Sequence, residues 1–182
     1  MNLPNKITMF RVILIPFFVF FMLSEQIAYH NYIAVAIFIV ASLTDMLDGK
    51  IARKYNLVSN FGKFMDPLAD KLLVSSAMIC FVAIPSNPMP AWVVIVIIAR
   101  EFIISGFRLV ASDAGVVIAA SYWGKIKTVT QMIMAILLIV NWDGKIINVV
   151  ENIFIYAALI LTVISLIDYM VKNWNVMRDG NM

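Results

Sequence analysis

With 182 residues, 63% of them hydrophobic and only 14% charged, the chain is too apolar for a water-soluble domain, in which about a quarter of residues carry charge. Its net charge of +3 is modest and gives no basis for nucleic-acid binding; its one cysteine excludes a disulfide framework or a thiolate metal cluster within the chain. What remains is a protein of the bilayer.

Apolar runs recur along the whole length, with charges between them or at their ends, which predicts an all-α integral membrane protein forming one membrane-embedded domain over residues 1–182. Six segments approach the ~20 residues needed to cross hydrocarbon: Thr8–Leu23, Ala28–Leu47, Pro67–Ile84, Pro90–Val110, Lys127–Asn141 and Asn148–Val171. The first reads as a retained helix rather than a signal peptide, since no small-residue cleavage site follows it and further spans do. Polar breaks at Ser24–Gln26 and Tyr29–Asn31, at Pro85–Pro88 and at Asn141–Gly144 would share one side. With the amino terminus inside, every Lys and Arg except Lys145 falls in the inner half, a strong positive-inside bias. Six transmembrane helices with cytoplasmic N- and C-termini follow. Trp92, Trp123, Trp142 and Trp174 near helix ends suit the headgroup layer, His30 reads as a turn residue, and Cys80 as packing.

The second and third segments carry the chemistry. Asp45 and Asp48 are three residues apart, and Asp66 and Asp70 four apart, so on helices each pair projects from one face, and two antiparallel helices bring four carboxylates together. Either pair alone reads as a solvated helix end. Together they are four of the chain's eleven acidic residues, and so dense a cluster near a membrane must hold protons or cations. Oxygen-only ligands favour a hard ion, Mg²⁺ or Mn²⁺. Gly49 costs a helix of order 1 kcal/mol, and its missing side chain allows a ligand to approach the backbone. Gly62, Asp66 and Asp70 repeat every four residues if the third helix begins before Pro67, a proline expected only in a first turn. Arg53, one turn past Gly49, suits forked pairing with a diphosphate, and Ser59 can donate to the same phosphates.

The run Asp45-x2-Asp48-Gly49-x2-Ala52-Arg53-x8-Gly62-x3-Asp66-x3-Asp70 resembles the signature of the CDP-alcohol phosphotransferase family at every position. The resemblance implies a homodimeric six-helix membrane enzyme in which an acceptor alcohol attacks the β-phosphorus of a CDP-linked donor and CMP leaves. It implies two metal ions per active site on Asp45, Asp48, Asp66 and Asp70, with Asp70 also the general base. Gly49, Ala52, Arg53, Ser59 and Gly62 would line the CDP site, with Asn5 and Thr8 closing its nucleotide side.

The opening Asn2-Leu-Pro-Asn5-Lys-Ile-Thr8-Met-Phe-Arg11, the run Arg100-Glu101-Phe102 and the run Gly124-Lys125-Ile126-Lys127-Thr128 are similar to the family's bacterial phosphatidylglycerophosphate synthases. That similarity implies CDP-diacylglycerol as donor and sn-glycerol 3-phosphate as acceptor, at the cytoplasmic face of a bacterial inner membrane. Arg108, Lys125 and Lys127 are the candidates for the acceptor phosphate, against ordinary positive-inside anchoring; Arg100 and Glu101, deep in the fourth segment, suit an ion pair or a functional role. The competing readings are the same family with inositol phosphate, serine or phosphatidylglycerol as acceptor, an aromatic prenyltransferase of the membrane type, and a divalent-cation transporter. The prenyltransferase needs a longer chain and an acid where Ala52 stands. A transporter needs acids along a continuous path that the outer halves of the second and third segments do not offer.

Overall fold

The computed structural model describes residues 2–54, 60–113, 118 and 121–174; at 45–54, 60, 61, 63, 64, 67 and 113 only the backbone is described. Among these residues there are six α-helices and no strand: α1 (Leu3–Leu23), α2 (His30–Lys54), α3 (Asn60–Ala83), α4 (Ala91–Asp113), α5 (Tyr122–Val140) and α6 (Lys145–Lys172). The helices divide into two compact units, Met1–Asn87 with Leu138–Asn141, and Pro88–Leu137 with Trp142–Met182.

In the first unit, α1 starts where the Asn2 side chain accepts from the Asn5 N–H at 3.2 Å, with Pro4 in the first turn, where its missing N–H costs nothing. Thr8, Arg11, Ile15, Phe18 and Met22, at three- and four-residue steps, form its buried face. That face packs against α2 and α3. Hydrocarbon is no worse a solvent for apolar side chains than another helix, so close approach must supply the attraction, and small residues permit it. Ala34 and Ala41 on α2 and Ala69 and Ala77 on α3 are fully buried, and the Phe18 and Phe38 rings meet at 5.7 Å. At the end of α5 belonging to this unit, amide side chains satisfy carbonyls that lack a helical partner: Asn31 Nδ2 donates to the Val140 oxygen and Asn87 Nδ2 to the Leu138 oxygen, each at 3.3 Å. Asn141, at φ 50°, ends the helix and donates from Nδ2 to Ser86 Oγ at 2.9 Å.

In the second unit, α4 packs on α6. Ile155, Ala158, Thr162, Ser165 and Tyr169 form the buried face of α6, and Phe107 of α4 meets Tyr169 edge-on at 5.8 Å. Ser121 precedes α5 and accepts from the Gly124 N–H at 3.1 Å, an N-cap.

Among the described residues, α1, α5 and α6 are each long and apolar enough to cross a membrane. Three charges, Arg100, Glu101 and Arg108, interrupt α4, and Asp66, Asp70 and Lys71 interrupt α3. Phe17, Phe20, Ile95 and Ile153 are each more than half exposed, part of an apolar exterior far beyond what water tolerates. The chain is a membrane protein. Its helices overrun the apolar segments, α2 to Lys54 rather than Leu47 and α3 from Asn60 rather than Pro67, because hydropathy marks where hydrocarbon ends and backbone hydrogen bonding continues beyond it. Pro67 is consequently the eighth residue of α3 and not in its first turn, an interior position that membrane helices tolerate when neighbours re-satisfy the freed carbonyl.

Candidate active site

Because α3 begins at Asn60, Gly62, Asp66 and Asp70 do occupy three successive turns of one helical face. Gly62 is buried, while both aspartates are half-buried, open enough to meet a ligand. Thr8 Oγ1, fully buried on α1, lies 2.6 Å from Asp66 Oδ1 and 3.2 Å from the Pro4 carbonyl oxygen. Asn5, one turn before Thr8, and Arg11, about one turn after it, are buried on the same face. Asp70 Oδ2 pairs with Lys71 Nζ at 3.1 Å, and its side chain keeps 38% of its surface.

Asp45, Asp48, Gly49, Ala52 and Arg53 lie in the helical backbone of α2, with side chains outside the described residues, and Ser59 lies outside them altogether. Among the described side chains the acidic site is the pair Asp66 and Asp70, and they hold no group of three metal ligands. The donor set is chemically clear even so: two carboxylates one turn apart, with a hydroxyl from another helix on one of them. Such a set accepts protons or binds a hard cation.

The second unit carries a cationic cluster. Lys127 Nζ donates to Glu101 Oε1, and Arg100 Nη1 lies 3.5 Å from the same oxygen, all three side chains being largely buried. Among the described side chains, two cations on one carboxylate leave a net positive charge. At Gly124, in the first turn of α5, a Cβ would meet Ser121 Oγ at a tight 3.3 Å and Arg100 Nη2 at an ordinary van der Waals 3.7 Å. Arg108 and Lys125 are exposed. Tyr169 is 4% exposed, its hydroxyl has no hydrogen-bond partner among the described residues, and it lies in electrostatic range of both Arg100 and Arg108. Sequence reasoning passed over Tyr169, which is separated from Arg108 by 61 positions; the only trace was a phenol in the last turns of an apolar span. It also passed over the contact of Thr8 with an aspartate, having set Thr8 beside the nucleotide.

A family model described as CDP-alcohol phosphatidyltransferase matches residues 1–164. The chain is 45% identical to the CDP-diacylglycerol–glycerol-3-phosphate 3-phosphatidyltransferase of Bacillus subtilis (strain 168), covering 99% of each chain. It is 39% identical to the protein of the same name from Haemophilus influenzae, covering 93% of this chain and 91% of that one. A probable phosphatidylglycerophosphate synthase of Mycobacterium tuberculosis is 35% identical over 94% of this chain and 81% of its own. With the acidic face of α3 and a match over nearly the whole length, the chain belongs to the CDP-alcohol phosphatidyltransferase family.

Proposed function

We propose that this protein transfers the phosphatidyl group of CDP-diacylglycerol to sn-glycerol 3-phosphate, giving phosphatidylglycerophosphate and CMP. The observation that carries the reading is 45% identity sustained over 99% of both chains with a relative named for this reaction. The unbroken aspartate, glycine and arginine spacing supports it.

The residues fit a divalent metal centre. Asp66 and Asp70 offer only oxygen, stand one turn apart and are accessible, and Asp45 and Asp48 complete an all-carboxylate set for two Mg²⁺ or Mn²⁺ ions. Such ions, when bound, neutralise the donor diphosphate and the departing CMP oxygen. Asp70 takes the proton from the acceptor hydroxyl at its carboxylate, which Lys71 keeps paired and oriented. Gly49, Ala52 and Gly62 leave room for the cytidine diphosphate, Arg53 and Ser59 hold its phosphates, and Asn5 and Thr8 bound the nucleotide side.

Arg108 and Lys125 present exposed cations to the acceptor phosphate. Lys127 joins that set through Glu101, with which it shares the buried pair beside Arg100, leaving a net positive potential for a phosphorylated acceptor. All six helices span the bilayer, both termini face the cytoplasm of a bacterial cell, the site opens on the inner face, and two chains form a homodimer.

The deciding experiment supplies purified protein and Mg²⁺ or Mn²⁺ with CDP-diacylglycerol and one acceptor at a time. CMP release is expected with sn-glycerol 3-phosphate. Release only with inositol phosphate, serine or phosphatidylglycerol reassigns the acceptor; metal flux into liposomes with no CMP from any acceptor overturns the enzyme.

A further inference from the structure

We propose that Thr8 is a positioning residue that fixes the carboxylate of Asp66 for metal binding, a role that rests on the reading of Asp66 as a metal ligand. The two residues are 58 positions apart and meet only because the buried face of α1 packs on α3. A threonine hydroxyl carries one proton. Of its two described acceptors, the Pro4 carbonyl at 3.2 Å is the ordinary back-bond to the preceding helical turn, whereas Asp66 Oδ1 at 2.6 Å has the short separation of a hydroxyl on an ionised oxygen. Between these two, the proton goes to the carboxylate.

Three further features make the donor a fixed point. The hydroxyl is fully buried, so water does not compete for it. Threonine is branched at Cβ and stiff about χ1. Its helix is fixed at its start, by the Asn2 cap and by Pro4 in the first turn. Holding one oxygen of Asp66 sets the plane of the carboxylate and aims its remaining lone pairs, as outer partners of metal ligands generally do. A Thr8 that served only as a nucleotide contact would change affinity for the CDP donor and leave binding of the metal alone untouched.

The test measures Mn²⁺ binding to the detergent-purified full chain, without substrate, from the loss of the free-ion electron paramagnetic resonance signal. Removing an outer partner of a metal ligand costs about 10- to 100-fold in affinity, so Thr8→Val is expected to bind at least about tenfold more weakly and Thr8→Ser near the parent value. Asp66→Asn is the reference and is expected to weaken binding more than either. Thr8→Ala replaces Thr8→Val as the hydroxyl-free variant if thermal unfolding shows the valine chain misfolded. Parent-like binding by the hydroxyl-free variant, with Asp66→Asn impaired, overturns the positioning role alone, as does a serine variant as weak as the valine one. Parent-like binding by Asp66→Asn removes the aspartate from the metal site and overturns both readings.

Discussion

A carboxylate that takes a proton from an alcohol must be ionised, reachable and held in place. Asp70 is reachable, with a side chain 38% exposed, and held, with Lys71 Nζ at 3.1 Å. Asp70→Asn keeps the shape and removes the basic oxygen, so CMP release should fall by at least about 100-fold, the lower end of what a general base contributes. Near-parental release from that variant removes Asp70 from the chemistry. The spacing of Asp66 and Asp70 was legible in the sequence because one helical turn is a local rule, and an α3 that starts at Asn60 keeps both on one face. Thr8 against Asp66, and Tyr169 near Arg100 and Arg108, were not legible. Each depends on helices distant in sequence coming together, set by which faces pack rather than by any spacing along one of them.

At the scale of the helix, the order of six elements was readable from apolar runs and turn residues, but their ends were not. Hydropathy falls where Lys and Asp begin, while a helix stops where its capping groups are met. Asn2 and Ser121 were the available signals, each accepting from the N–H three residues on. The charges inside α4 have a mechanical role as well as an electrostatic one, for Glu101 ties α4 to Lys127 on α5. Glu101→Ala breaks a pair in which the lysine is 1% exposed, a loss expected to cost about 3–5 kcal/mol. It should appear as a lowered unfolding temperature in detergent. Replacing both members, Glu101→Leu with Lys127→Met, should recover only part of that loss, because Arg100 also loses its carboxylate, and an unaffected single variant means that the pair does not bind the two helices together.

Taken whole, the molecule was most legible where composition speaks: an all-helical protein with an apolar exterior. The number of crossings is where hydropathy is weakest, because α3 and α4 carry the charged groups that the proposed function uses. In a Cys80→Ser background, single cysteines at Asn87, Asp143 and Lys172 test the six-span arrangement. A membrane-impermeant maleimide should label the first two on intact cells and the third only after permeabilisation; labelling of all three from outside overturns it.

The amide contacts of Asn31, Asn87 and Asn141 carry a consequence for how the protein weathers its surroundings. An amide keeps the same charge at any acidity, and neutral hydrogen bonds are little troubled by brine. On the side that the proposed orientation turns toward the medium, this latch should therefore hold through swings of pH and salinity that would loosen one built from ions.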